Sequence, residues 1–163
     1  MAVSKSWRPK LNNQQVGYAG ENFVAGEIHR RGGYAVTFSG NMKGIDLLAS
    51  DSEHKRIISI QVKTKTAGTW QTSIKHGKKQ AKPDEVTQFW IFVDLGPEQP
   101  GYYVVPGWWI ENDIYKEHKK YLTAHGGHRA KTDASVHHAI PMKRIAEWKD
   151  RWEILEILPT PPS

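Results

Sequence analysis

The chain has no cysteine, which excludes disulfides and cysteine-ligated zinc or iron–sulfur centres. No apolar run approaches the length of a membrane span. The opening stretch, MAVSKSWRPK, lacks the apolar segment of a signal peptide. A cytoplasmic protein with no membrane partner is therefore expected. Acid is missing from one long window: between Lys55 and Lys82 there are eight Lys or Arg and no Asp or Glu. Within a formal net charge of +6, such clustering points to an anionic partner on one face of the molecule. What is present is globular in character: 163 residues, 38% hydrophobic, with seven tryptophans. That is enough chain for one domain with a substantial core.

Residues 1–15 read as a polar arm, 16–158 as the folded domain and 159–163 as a short tail. The spacing predicts a helix over 17–31, stopped by Gly32-Gly33. Strands follow at 34–38, 45–49 and 57–64, and Trp70, Thr72 and Ile74 alternate as a fourth strand or a hairpin arm. Residues 75–83 are basic and turn-rich, whereas 88–95 are apolar on both faces and read as a central strand. A turn cluster at 96–101 returns the chain into a strand at 102–105. Ile110, Ile114, Tyr115, His118 and Leu122 recur at helical spacing, and 123–135 is a polar loop. Met142, Ile145, Trp148 and Trp152 suggest a closing helix, or a helix followed by a strand. The order defines an α/β domain built on a mixed sheet flanked by helices.

Two short strands carry the candidate chemistry. Asp46 stands in Gly44-Ile45-Asp46-Leu47, and fifteen residues after it Gln61 stands in Ser59-Ile60-Gln61-Val62-Lys63-Thr64-Lys65. Alternation along a strand puts Ser59, Gln61, Lys63 and Lys65 on one face and Ile58, Ile60 and Val62 on the other. A carboxylate beside an amide oxygen and an ammonium forms a site for a metal and a phosphate. On the first helix Gly17, Glu21, Val24, Ala25 and Ile28 share one stripe. A carboxylate on such a stripe is costly unless it is paired or metal-bound; the competing reading leaves Glu21 partly exposed in the first turn, complementing the helix dipole. Glu27 lies off the stripe and is expected in solvent.

These residues resemble the PD-(D/E)XK nuclease superfamily, in the branch with glutamine replacing the second acid, seen in Holliday-junction-resolvase-like and Mrr-like enzymes. Gly20-Glu21, Gly44-Ile45-Asp46 and Gln61-Val62-Lys63 carry the resemblance over roughly residues 16–65. No proline precedes Asp46, and Gln61 is neutral. The resemblance implies a restriction-endonuclease-like core and a magnesium-dependent deoxyribonuclease, with manganese as a substitute metal. Glu21, Asp46, Gln61 and Lys63 would be the catalytic set, and Asp46, Gln61, the Val62 carbonyl and Glu21 the metal ligands. The basic residues Lys43, Lys65, Lys75, Lys78, Lys79 and Lys82 are the expected nucleic-acid contacts. DNA is the expected partner, RNA offers the same phosphates, and double-strand or junction cutting would suit a homodimer.

Other patterns carry less. His125-Gly126-Gly127-His128 and His137-His138 lack the spacing of a helical ligand pair and read as solvated loop histidines. Trp108-Trp109, Trp148 and Trp152 read as core aromatics rather than base-stacking platforms. Because Gln61 is neutral, a nucleic-acid-binding module with the same fold and little or no catalysis stands beside the nuclease reading. A protein whose basic face only binds acidic partners is the third alternative.

Overall fold

The computed structural model describes residues 8–38, 42–129 and 135–162. Helix α1, Asn13–Arg30, begins inside the expected polar arm. Its start is set by a capping box: Asn12 accepts from Gln15 N–H and the Gln15 side chain accepts from Asn12 N–H, each at 2.9 Å. Its end is the glycine pair. Gly32 sits at φ +95°, its N–H bonds to His29 O and Gly33 N–H bonds to Ile28 O, closing the helix with the two bonds of a Schellman motif.

Five strands form the main sheet: β1 (Tyr34–Thr37), β2 (Leu47–Ser50), β3 (Ile57–Lys65), β5 (Gln88–Asp94) and β6 (Gly101–Pro106), in the order β1-β2-β3-β5-β6. Only β3 and β5 run parallel; the other neighbours are antiparallel. Strand β4 (Trp70–Ser73) leaves this sheet and pairs with β7 (His137–Ile140) in a second, two-stranded sheet. The mixed α/β architecture thus agrees with the expectation, and β4 is the fourth-strand alternative, paired outside the main sheet with a strand from a stretch read as loop and histidine-rich. Helix α2, Gly107–Ala124, starts three residues before its first apolar repeat position at Ile110. The closing element is a series of 3₁₀ turns, Met142–Arg144, Ala146–Trp148 and Trp152–Leu155, in place of the expected helix. Residues 1–7 of the expected arm and 130–134 of the expected polar loop lie outside the described residues.

Two cores sandwich the sheet. On one face Val24 and Ile28 of α1 pack on Leu47, Ile58, Ile60, Val62, Ile91 and Val93, closed by Trp152 and Leu155. On the other, Ile110 and Ile114 of α2 join Trp70, Trp90, Phe92, Tyr103, Ile140 and Ile145. Fully burying each large apolar side chain contributes roughly 1.5–3 kcal/mol. Trp70 is anchored further by Nε1–H donating to Val93 O at 2.9 Å. The two cores account for β5 being apolar on both sides, and they leave β3 as the strand with one apolar and one polar row.

Candidate functional site

Gly44 adopts φ +77°, a left-handed turn that glycine enters without strain, and the chain then delivers Asp46 to the open end of β2. Asp46 N–H bonds to Ile60 O at 2.9 Å, continuing the β2–β3 ladder one residue past the strand. Its carboxylate turns along the same edge, and Val62 N–H donates to Asp46 Oδ2 at 2.6 Å. Val62 is the residue between Gln61 and Lys63. In an extended strand the N–H and C=O of one residue lie on the same edge, so the Val62 carbonyl opens toward the Asp46 side as well.

Asp46 is the common neighbour of the two remaining groups. Glu21, half-buried on α1, has its carboxyl pushed above the usual range by burial and then by the Asp46 carboxylate. Lys63 is pushed below its ordinary value by burial, an effect that the Asp46 carboxylate opposes. Its Nζ lies 5.8 Å from the Trp90 ring centroid, over the indole face. Neither Glu21, Gln61 nor Asp46 Oδ1 has a hydrogen-bond or ion-pair partner among the described residues. Gly20 positions this part of α1: a Cβ there would lie 1.8 Å from Thr64 Oγ1, so only glycine lets the helix come so close to β3.

The oxygen groups that the structure brings to Asp46 are its own carboxylate, the Glu21 carboxylate and the Val62 backbone, and Gln61, the residue before Val62, carries a further amide oxygen. Such a set fits magnesium or manganese and not a soft metal. A cation placed there would also relieve the mutual repulsion of Glu21 and Asp46. Among the described residues no group of three or more His, Cys, Asp or Glu gathers anywhere, so the described histidines are not brought together as a ligand set. His125 Nδ1 bonds to its own helix at Tyr121 O, and His138 sits on β7 against Arg144.

Several expected contacts are placed differently. Lys65 is not available to phosphate: it is 8% exposed, its Nζ is 2.8 Å from Asp94 Oδ2, and the ammonium lies over Trp70. Register explains this, because β5 sets Asp94 directly across from Lys65. Glu27, expected in solvent, is clamped by Arg30 and Arg31. Lys82 borders a separate depression shared with Asp84 and Glu85. Lys78 faces Glu111 at 3.8 Å, while Lys43, Lys75 and Lys79 are exposed. The tryptophans are mostly structural, Trp152 in one core and Trp109 and Trp148 against the other.

One neighbour was not among the sequence candidates. His76, in the 3₁₀ turn Ile74–His76, packs edge-on against Trp90 with centroids 5.0 Å apart. Burial pushes its pKa down, the nearby Lys63 adds to this, Glu111 opposes, and Lys78 and Lys43 lower it further. A neutral imidazole thus shares the Trp90 indole with Lys63. The only sequence signal was its position inside the acid-free window.

No protein-family model matches the chain, and no curated protein matches its sequence. In three dimensions it has a nuclease-like α/β fold. It is similar to the solved structure of a bacterial homing endonuclease, I-Ssp6803I, at 12% identity and a TM-score of 0.50, covering 90% of this chain and 94% of the other. At that identity the likeness establishes the fold alone.

Proposed function

We propose that the protein is a magnesium-dependent DNA endonuclease of the PD-(D/E)XK kind, with Gln61 in place of the second acid. The observation that carries this reading is the bond from Val62 N–H to Asp46 Oδ2. It ties a carboxylate to the backbone of Val62, the residue between Gln61 and Lys63, and Oδ1 has no partner among the described residues. The fold shared with a homing endonuclease supports the same class.

Asp46 would hold the metal through its open oxygen, Gln61 through its amide oxygen and Val62 through its carbonyl, with Glu21 binding directly or through a water. Magnesium or manganese, when bound, would supply a water of lowered pKa and neutralise phosphate charge. Lys63, its ammonium over the Trp90 indole, donates hydrogen bonds to the phosphate as negative charge accumulates in the transition state. The exposed Lys43 and Lys75 hold the phosphates on either side.

The test is cleavage of plasmid, junction and single-stranded DNA in Mg²⁺, Mn²⁺ or EDTA by the parent and by Asp46→Ala. Cleavage is expected with metal and absent in EDTA and in the variant, with duplex binding intact. Equal loss of binding and cleavage in Asp46→Ala would make Asp46 a structural residue and overturn the reading. The neutrality of Gln61 favours a second reading, a binding module with a weak metal site. Gln61→Glu separates the two: as a metal ligand it should tighten Mg²⁺ binding by calorimetry, roughly tenfold for each 1.4 kcal/mol of added attraction.

A further inference from the structure

A second cluster of cations lies away from Asp46. Helix α2 presents Lys116, Lys119 and Lys120 along one side of its C-terminal half, at the spacing that places residues on one helix face. They line a groove of about 630 Å³ together with Lys79, Tyr115, Thr123 and Ala124, and no carboxylate lines it. The far wall is built, not incidental. Lys78 N–H bonds to Glu111 O, and the buried Asn112 side chain grips Gln80 at both its N–H and its carbonyl. Lys79 is thereby clamped on both sides of its own position. Gly77 fits because a Cβ there would lie 3.1 Å from the Tyr115 backbone.

The acids of α2 are accounted for elsewhere. Glu111 accepts from the Gln80 amide and faces Lys78. Asp113 is bonded to Arg144, and Glu117 lies on that flank, close enough to act on Asp113 and His138. The lysines are thus concentrated on the groove side, with Lys116 near enough to act on Asp113 as well. The segment carrying Lys79 also carries His76, which feels Lys63 and Lys43. Positive groups run from the Asp46 cleft through His76 and Lys78 to the α2 groove.

We propose that the α2 lysine groove is a second binding surface for the DNA phosphate backbone, holding duplex that flanks the cleavage position. This rests on the endonuclease reading for its substrate. The three lysines span positions 116 to 120 of α2, about 6 Å of helix, comparable to roughly two base pairs of duplex at 3.4 Å each. A second contact of this kind lengthens the footprint without adding to the chemistry.

The experiment measures binding of a labelled random-sequence duplex of about 30 base pairs, roughly 100 Å long, across a salt series. The groove variant is Lys116→Gln/Lys119→Gln/Lys120→Gln; glutamine keeps the helix propensity of these exposed positions. A control, Lys10→Gln/Lys143→Gln/Lys149→Gln, removes the same charge from elsewhere on the surface. The groove variant should lower the slope of log K against log salt by about 2.7, from 0.9 for each of three phosphate contacts. Its affinity near 0.1 M salt should fall on the order of 10–100-fold. The control should stay near the parent. Equal behaviour of groove and control variants would overturn the groove. Plasmid cleavage by the parent, run alongside, reports the endonuclease reading separately. Cleavage with unchanged binding in the groove variant removes the groove alone, whereas a parent that binds no duplex removes both.

Discussion

Lys63 and Lys65 stand two positions apart on the same face of β3, yet they lie in different chemical regions. Lys65 is sealed into the aromatic core with Asp94 as its counter-ion. Among the described residues Lys63 has no ion pair, only the field of Asp46 and the face of Trp90. The difference comes from the neighbouring strand. In the parallel register Gln61, Lys63 and Lys65 lie across from Trp90, Phe92 and Asp94. Where β5 supplies an acid, the lysine becomes part of the scaffold; where it supplies aromatics, the lysine keeps its charge over an indole face. A row of like residues on a strand is therefore not one functional surface, because the strand beside it sorts them.

The comparison breaks most directly by removing each ammonium in turn. Lys63→Met should reduce cleavage on the order of 10²–10³-fold, the scale of losing one transition-state hydrogen-bond donor, with stability unchanged or raised. Lys65→Met leaves Asp94 buried without its partner and should cost about 3–5 kcal/mol in urea unfolding. Its folded fraction should still cut. Adding Asp94→Asn should recover part of that loss, because asparagine retains the oxygen that accepts from Gly96 N–H without the unpaired charge. If Lys63→Met unfolds the protein as readily as Lys65→Met does, both lysines are scaffold and the distinction fails.

Sequence pattern reached the helix–strand order and the row on β3, since periodicity is a local property. It placed the start of α1 too late, although Asn12 and Gln15 stand at capping-box spacing and the signal was there to be read. The fates of Lys65 and Asp94 were not legible, because they depend on the register between strands 29 residues apart in sequence. His76 was hidden for a related reason: its place beside Lys63 is set by Trp90, and tertiary packing has no period. Strand β7 was missed because four residues with alternate exposure carry too little pattern against a polar background.

A smaller effect tests how the other end of the site is held. Gly20→Ala would drive a methyl into Thr64 and should cost about 1–3 kcal/mol, the usual range for overpacking. It should also move Glu21 on α1 away from Asp46, weakening metal binding. Thr64→Ala removes the hydroxyl and methyl that collide and leaves only its Cβ, 2.9 Å from the added methyl; Thr64 Oγ1 is buried without a hydrogen-bond partner among the described residues, so nothing polar is lost. The double variant should therefore regain part of the stability and of the metal affinity together. Metal affinity unchanged in Gly20→Ala despite the lost stability would show that Glu21 contributes nothing to the site.

The smallest effect separates the cleft from the two-stranded sheet by pH. His76 and His138 both have pKa values depressed below 6.5, and His138 is brought to about 4, by burial first and then by Arg144. As pH falls below 6.5 the unfolded chain takes up these protons before the folded one. The stability contributed by each neutral ring is full above 6.5 and is lost as pH falls toward its folded pKa. For His138 that window runs from 6.5 to about 4. His138→Gln keeps an acceptor for Arg144 but does not titrate, so unfolding should depend less on pH in this window while the pH profile of cleavage stays as it was. His76→Phe keeps a ring against Trp90 and should likewise flatten the stability curve. It should also change the acid side of the cleavage profile, because protonating His76 places a cation beside Lys63. A shift in that profile from His138→Gln would mean that Arg144 and β7 reach the site, and that the cleft is not electrostatically separate from the small sheet.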